Sequence, residues 1–275
     1  MENNLVENSL YGVIIGDIAG STYEFNNQKN KDIPFFKQGS HFTDDTVMTI
    51  AIASAFCEWD GNIKTLFDVI RRDLILFGNQ FRDAGYGGRF KKWLRGDTNY
   101  KPYGSFGNGS AMRVAPVCFV ASSLKECEQL AKITAMVTHN HKEGIKGAVC
   151  VASCMYLAKT GKSKDEIKAY AKKHYNLNFT LDEIRPTYTF EAICQTSVPQ
   201  ALNAFFESEN YEDAVKNAIS IGGDSDTLAA ICGGIAGIYY GVNKSLIELA
   251  KKHLAPTLIK TIEDFEEKFI KTGEN

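Results

Sequence analysis

Residues 222–237 read GGDSDTLAAICGGIAG, two glycines and an acidic cluster followed by a run of small and apolar residues. The pattern predicts one helix that ends at Gly222 and Gly223 and a second that begins at Ser225 or Asp226. Because alanine and glycine recur along the second helix, the backbone of another helix can approach it closely. We therefore expect this segment to pack tightly against a second helix.

Helical periodicity extends over most of the chain. Residues 44–59 carry an apolar stripe, and Thr43 or Asp44 is well placed to cap that helix. Residues 62–77 form the next helical run, with Gly78 as a C-terminal stop. At the N-terminus a helix over residues 5–19 is preferred to a strand over residues 12–15. Three Ser/Thr-x-x-Glu segments read as capping boxes before further helices, namely 123–126, 163–166 and 180–183.

Few prolines and no low-complexity tract interrupt this pattern, so we predict an all-α, single-domain helical bundle over residues 1–275, with the polar motifs in its loops. The chain has 44% hydrophobic and 23% charged residues, ordinary values for a soluble globular protein. Its formal net charge of −2 predicts no nucleic-acid footprint. The seven cysteines are read as free thiols of a reducing compartment. A polar N-terminus and the lack of a long apolar run predict no secretory signal, no membrane span and a cytoplasmic protein.

Two acidic clusters carry most of the chemistry, FTDDT at residues 42–46 and GGDSDT at residues 222–227. Each falls at a helix N-terminus, where a single Asp or Thr would suffice as a cap. Two carboxylates and hydroxyls in each cluster exceed that need, and crowded carboxylates usually require a cation. The donors are all oxygens, which suits Mg²⁺, Mn²⁺ or Ca²⁺ rather than Zn²⁺. If the clusters meet, they can hold two divalent ions that activate water.

A glycine-rich loop, YGSFGNGSAMR at residues 103–113, leads into a predicted helix. Its backbone N–H groups suit phosphate oxygens, and Asn108 and Ser110 add side-chain donors. Phe106 can lie against a base. In THNH at residues 138–141 we favour substrate contact by His139 over metal ligation. Arg89 and Trp93 could line a cleft, but packing and surface roles are preferred for both.

Five motifs, GDIAGSTYEF, FTDDT, GSFGNGSAMR, THNH and GGDSDT, occur in an order that resembles the ADP-ribosylglycohydrolase family, which includes the dinitrogenase reductase-activating glycohydrolases. The resemblance runs from about residue 10 to about residue 240. Any one motif alone is weak, whereas five in order are specific. Ser225 stands where many relatives have Thr, at a position that is not a ligand.

The resemblance implies an orthogonal all-α bundle with two Mg²⁺ or Mn²⁺ ions, and hydrolysis of the bond between ADP-ribose and an acceptor. The implied ligands of one ion are Thr43, Asp44 and Asp45, and those of the other are Asp224, Asp226 and Thr227, with Asp226 as a bridge. Glu24 and Asp45 are implied as catalytic residues. The implied substrate-binding residues are Gly104, Ser105, Phe106, Gly107, Asn108, Gly109, Ser110 and His139.

The expected partner is an ADP-ribosylated protein or a small ADP-ribose conjugate, with an arginine linkage favoured. Serine, O-acetyl and nucleobase linkages stay open, as do the choice between Mg²⁺ and Mn²⁺, the oligomeric state and the role of the last ~35 residues. Two other classes also stay open. One is a non-catalytic ADP-ribose-binding or structural relative, and the other is a two-metal nucleotide phosphohydrolase.

Overall fold

A computed structural model describes residues 5–271 of the chain. Helices make up nearly all of its regular structure. Residues 1–4 and 272–275 of the predicted single domain lie outside that range. The α-helices of the described residues are α1 (Tyr11–Gly20), α2 (Asp44–Glu58), α3 (Ile63–Gln80), α4 (Gly88–Leu94), α5 (Gly109–Met112), α6 (Pro116–Val120), α7 (Leu124–Met136), α8 (Lys142–Lys159), α9 (Lys164–Ala171), α10 (Leu181–Ile184), α11 (Cys194–Phe206), α12 (Tyr211–Ser220), α13 (Ser225–Tyr240), α14 (Lys244–Lys251) and α15 (Pro256–Phe269). Two short strands, β1 (Leu5–Val6) and β2 (Val242–Asn243), and a 3₁₀ turn (Ser21–Tyr23) complete the elements. The all-α prediction is confirmed.

The most extensive helix contact joins α1 to α13. An ideal Cβ on Gly16 would lie 2.2 Å from the carbonyl oxygen of Ala229, and one on Gly20 would lie 2.5 Å from Cα of Asp226. Only glycine fits at such positions, because the two backbones touch. The predicted tight packing of the helix after Ser225 is confirmed, and the contact brings the C-terminal end of α1 to the acidic start of α13.

The N-terminal segment differs from its prediction. A helix over residues 5–19 is wrong for its first part, because α1 begins at Tyr11 and Leu5–Val6 pairs antiparallel with Val242–Asn243. The strand alternative at residues 12–15 is also wrong, since those residues are helical. Pairing with a segment more than 230 residues away overrides the local helical preference.

Helix α3 continues past the predicted stop at Gly78 and ends at Gln80. Gly78 lies inside the helix, and the end of the Leu94 side chain packs against it, 2.5 Å from the position of an ideal Cβ. The glycine therefore gives close contact with α4 and does not terminate α3.

The predicted caps are largely confirmed. Thr43 caps α2, and complete capping boxes begin α9 at Ser163 and α10 at Thr180. Ser123 caps α7, but the carboxylate of Glu126 binds the amide and hydroxyl of Ser122, so that box is only half formed.

The C-terminal region carried no recognisable motif, yet it completes the core. Leu258, Ile262 and Phe265 of α15 are buried, and α15 packs against α2. The carboxylate of Glu266 accepts hydrogen bonds from the hydroxyl of Ser9 at 2.6 Å and the amide of Leu10 at 3.1 Å, which ties α15 to the start of α1. Residues 5–271 contain no helix with the length and apolar character needed to cross a membrane. All seven cysteines are free thiols, as predicted.

Candidate active site

The two acidic clusters meet at a single point in the structure. The hydroxyl of Thr227 donates a hydrogen bond to Oδ2 of Asp45 at 3.1 Å, across 182 positions of sequence. Around this contact lie two groups of carboxylates, each with ligand oxygens within 4.8 Å of one another, namely Asp17, Asp45 and Asp226 in one group and Glu24, Asp224 and Asp226 in the other. Asp226 belongs to both groups, so the two candidate metal positions adjoin.

Asp17 is the member of this cluster that sequence reasoning missed. It is fully buried on α1, where one oxygen accepts the amides of Thr43 at 2.8 Å and Thr46 at 3.1 Å, and the other accepts the hydroxyl of Thr43 at 2.6 Å. The carboxylate therefore lies over the N-terminus of α2. A signal was available, because Asp17 is the one charged residue in the apolar run LYGVIIGDIAG at residues 10–20.

The two carboxylate groups combine the residues differently from the predicted ligand sets. The sequence paired Asp44 with Asp45, whereas the structure groups Asp45 with Asp17 and Asp226. Asp44 lies in the cavity wall outside both groups, and its Oδ1 is 3.4 Å from the position of an ideal Cβ on Gly85. The predicted roles of these residues as ligands stay predictions, with Asp17 added to the candidates.

The electrostatics of the cluster favour a bound cation. Burial, followed by the charges of Asp226 and Asp17, raises the pKa of Glu24 to about 8. Burial raises the pKa of Asp224 to about 6. Burial, followed by the charges of neighbouring carboxylates, also raises the pKa of Asp45 and of Asp226. Oδ1 of Asp45 is buried with no hydrogen-bond partner among the described residues. An oxygen-only donor set with an unpaired buried carboxylate oxygen fits a divalent ion.

Glu24 reaches the cluster because its loop is fixed there. It follows the 3₁₀ turn Ser21–Tyr23 at the end of α1. The side-chain amide of Asn27 donates to the carbonyls of Tyr23 at 2.7 Å, Glu24 at 2.8 Å and Gly223 at 3.0 Å, and its oxygen accepts the amide of Gly223 at 2.8 Å. The loop after α1 therefore returns to the acidic clusters and places Glu24 beside Asp224 and Asp226.

A cavity of about 520 Å³ opens onto the carboxylates, a size typical of small-molecule sites. The predicted site residues that line it are Glu24, Thr43, Asp44, Asp45, Ser105, Phe106, Gly107, Asn108, Gly109, His139, Asp224, Asp226 and Thr227. Gly104 and Ser110 lie outside the lining. The amide of Gly104 donates to Oδ1 of Asn140 at 2.7 Å, and the hydroxyl of Ser110 donates to the carbonyl of Gly144 at 2.7 Å.

Much of the hydrogen-bonding capacity of the glycine-rich loop is already used by the protein. Besides Gly104, the amide of Ser105 donates to the carbonyl of Thr138, that of Gly107 to the Ser105 hydroxyl, and that of Asn108 to the Ala192 carbonyl. Within residues 5–271, three of the loop's amides remain without such a bond, those of Phe106, Gly109 and Ser110. Of these three residues, Phe106 and Gly109 line the cavity, whereas Ser110 is buried outside its lining.

Asn108 connects this loop to the acidic cluster. Its side-chain amide donates to Oδ2 of Asp224 at 2.7 Å and to the hydroxyl of Ser197 at 3.1 Å. The sequence placed Asn108 with the substrate-binding residues, and the structure adds that it holds a candidate metal ligand.

Aromatic and cationic side chains complete the walls. Arg89 lines the cavity, where its guanidinium donates to the carbonyl of Tyr103 and lies 5.0 Å from the centroid of that ring, whereas Trp93 is fully buried and serves packing. Phe25 and Phe190 stack at 6.2 Å and are the most exposed aromatic residues of the lining. Neither of these two phenylalanines was singled out from the sequence.

Comparison with known proteins gives a consistent result. A family model described as ADP-ribosylglycohydrolase matches residues 3–273. Human ADP-ribosylhydrolase ARH3 is 25% identical over 86% of this chain and 85% of that protein. ADP-ribosylarginine hydrolase Tri1 of Pseudomonas putida is 27% identical over 86% of this chain and 70% of that protein. ADP-ribosyl-[dinitrogen reductase] glycohydrolase of Rhodospirillum rubrum is 22% identical over 84% of each chain.

A solved structure titled "ADP-ribosylglycohydrolase-related protein complex" superimposes with a TM-score of 0.66 at 20% identity, over 94% of this chain and 95% of that one. At that identity the likeness establishes the fold alone, and it agrees with the all-α arrangement. Because the family model spans nearly the whole sequence, this chain belongs to the ADP-ribosylglycohydrolase family of enzymes.

Proposed function

We propose that this protein hydrolyses the glycosidic bond that joins C1″ of an ADP-ribosyl group to an acceptor and so reverses ADP-ribosylation. The observation that carries the proposal is the convergence of separate motifs on one cavity, where two overlapping carboxylate groups face a glycine-rich loop and a histidine. ADP-ribose presents a diphosphate, an adenine and a ribose with vicinal hydroxyls. The glycine-rich loop offers a partner for the diphosphate, the exposed aromatic ring offers one for the adenine, and the acidic cluster offers one for the ribose hydroxyls.

Two divalent ions, Mg²⁺ or Mn²⁺, are the proposed cofactors. Asp17, Asp45 and Asp226 would hold one ion, and Glu24, Asp224 and Asp226 the other. The remaining predicted ligands are Thr43, Asp44 and Thr227. When bound, such ions would supply Lewis acidity to the sugar hydroxyls and lower the pKa of water.

Glu24 is the proposed acid–base residue. It is the only member of the two carboxylate groups that is not buried, so it can face both solvent and substrate in the cavity. Its carboxyl group would accept a proton from the attacking water or donate one to the leaving group. Asp45, oriented by the hydroxyl of Thr227, and the neighbouring carboxylates would stabilise the positive charge that develops at C1″ in an oxocarbenium-like transition state.

The proposed substrate is an ADP-ribosylated protein or a small ADP-ribose conjugate. Its diphosphate would lie against the amides of Phe106 and Gly109. The ring of Phe106, 39% exposed, is available to stack on the adenine. We favour an arginine linkage because the Pseudomonas putida relative is named for it.

The test is a panel of ADP-ribosylated substrates that differ only in linkage, assayed with EDTA and again after Mg²⁺ or Mn²⁺ is restored. We expect ADP-ribose to be released from the arginine conjugate, release to stop in EDTA, and either ion to restore it. Binding of ADP-ribose without release from any conjugate would identify a non-catalytic binder. Release of phosphate with an intact glycosidic bond would identify a phosphohydrolase.

A further inference from the structure

Thr138, just beyond the end of α7, connects three parts of the cavity wall and is fully buried. Its hydroxyl oxygen accepts a hydrogen bond from Nη2 of Arg113 at 2.8 Å and lies 2.7 Å from Nδ1 of His139. Its carbonyl accepts the amides of Tyr103 and Ser105, both at 3.4 Å. One residue therefore holds the start of the glycine-rich loop, a buried guanidinium and the ring of His139.

The hydrogen bonds around the Thr138 hydroxyl determine where its proton lies. Arginine is only a donor, so the contact with Arg113 uses a lone pair of the Thr138 oxygen. Among residues 5–271, Nδ1 of His139 is the one acceptor within hydrogen-bond distance of that hydroxyl. If Nδ1 carried the proton instead, the buried Thr138 hydroxyl would have no acceptor and would lose its interaction with water without replacement.

The opposite nitrogen of the same ring faces the glycine-rich loop. Nε2 of His139 lies 3.3 Å from the position of an ideal Cβ on Gly109 and 3.5 Å from that on Gly107, and the residue lines the cavity. No residue in the described range 5–271 forms a hydrogen bond with Nε2. Burial, followed by the charges of Arg113 and Arg89, lowers the pKa of His139 well below its ordinary value, so the ring is neutral. A neutral imidazole carries one proton, and its position decides whether Nε2 donates or accepts.

We propose that Arg113 and Thr138 hold His139 as the neutral tautomer protonated at Nε2, so that the ring presents a hydrogen-bond donor to an oxygen of the bound ADP-ribose. Arg113 and Thr138 are positioning residues, because they act through His139. The inference rests on the proposed function for the identity of the ligand, whereas the tautomer is a property of the free protein.

The first measurement is a long-range ¹H–¹⁵N correlation spectrum of the uniformly labelled, ligand-free protein, which has five histidines. His139→Gln assigns the ring signals. We expect a pyridine-type shift for Nδ1 and a pyrrole-type shift for Nε2. The reverse pattern in the wild-type protein would overturn the proposal, and this result depends on no variant of Thr138.

The second measurement compares variants of Thr138 by the same spectrum and by calorimetric titration with ADP-ribose. Thr138→Val removes the hydroxyl with little change of shape. We expect it to lose the single tautomer and to weaken ADP-ribose binding about tenfold. Thr138→Ser keeps the hydroxyl and should restore both. Thr134→Val is the matched control, because Thr134 is equally buried on α7 but its hydroxyl donates to the carbonyl of Ala131.

The possible outcomes separate the two hypotheses. An unchanged tautomer and affinity in Thr138→Val would overturn the inference even if the wild-type protein releases ADP-ribose. Equal weakening by Thr138→Val and Thr134→Val would also overturn it, because the effect would then be general to α7. If the wild-type protein binds no ADP-ribose, the proposed function fails, and the spectra alone decide the tautomer.

Discussion

The two acidic helix starts that face the cavity have similar sequences but are built differently. At the start of α2 the backbone amides are well satisfied. The Thr43 side chain accepts the amide of Asp45 at 3.4 Å, and Asp17 from another helix accepts the amides of Thr43 and Thr46 at 2.8 and 3.1 Å. Capping there is done by residues other than the two acids of the FTDDT motif.

The start of α13 has no equivalent cap. Within the described residues, the side chain of its N-cap residue, Asp224, accepts no backbone amide of the helix, and its carboxylate is held by Asn108 instead. Among residues 5–271, the one backbone amide that donates to the side chain of Asp226 is that of its neighbour Thr227, at 2.9 Å. Capping therefore explains neither pair of acids, and the carboxylates of both helices remain available for a cation.

Asp226 links the two helix starts, because it shares one candidate metal group with Asp45 and the other with Asp224. Its substitution has the largest expected effect on activity. Asp226→Asn removes a carboxylate that belongs to both candidate metal groups. We expect ADP-ribose release to fall by roughly 10³-fold or more, since metal assistance accounts for several kcal/mol of transition-state stabilisation. Calorimetric titration with Mn²⁺ should show the loss of both binding events.

Asp165→Asn is the control for this variant, because Asp165 also lies in the first turn of a helix, α9, but belongs to neither group. It should keep full activity. Two normal Mn²⁺ binding events in Asp226→Asn would contradict the shared site.

Glu24→Gln separates catalysis from binding. The variant keeps the size of the side chain and an oxygen that can still bind a divalent ion, but it cannot exchange a proton. We expect turnover to fall about 10²- to 10³-fold, in the range of general acid–base catalysis, while ADP-ribose affinity stays close to that of the wild-type protein. Single-turnover rates and calorimetry measure the two quantities. Full turnover at neutral pH would remove Glu24 from its proposed role.

The sequence predicts those parts of the site whose signal is local. A cap such as Thr43 and a crowded acidic motif such as that at residues 222–227 are readable because partner and signal lie within a few residues. Asp17 was missed because its partners lie 26 and 29 positions away, and within its own helix it is a single acid in an apolar run. The strand at Leu5–Val6 was missed for the same reason, since its partner begins at Val242.

The difference in capping can be measured as stability in EDTA. Thr43→Val removes the cap of α2, and we expect the free energy of unfolding to fall by about 1 to 2 kcal/mol. Asp224→Asn removes no cap, keeps an oxygen that can accept from Asn108, and relieves repulsion with Asp226. It should therefore cause no loss of stability at neutral pH. Urea denaturation with a common m-value tests both variants. An equal loss of unfolding free energy in the two would mean that the two helix starts do not differ in capping.

The pH dependence of the metal-free protein gives the smallest and most specific test. The pKa of Asp224 is raised from 3.8 to about 6 and that of Glu24 from 4.5 to about 8, so the folded state binds these protons more tightly than the unfolded state does. Their contribution to stability is complete below about pH 4 and is lost as the pH rises through 6 and then 8. In EDTA the melting temperature should fall across that window.

Variants assign each part of the curve to a residue. Glu24→Gln should flatten the curve between about pH 4.5 and 8, and Asp224→Asn should flatten it between about pH 4 and 6, so the fall above pH 6 reports on Glu24. Saturating Mn²⁺ at pH 8 should raise the melting temperature, because the ion binds the ionised carboxylates of the folded state alone. A melting temperature that rises from pH 5 to pH 8 in EDTA, or is unchanged by Mn²⁺ at pH 8, would mean that these carboxylates do not share a cation site.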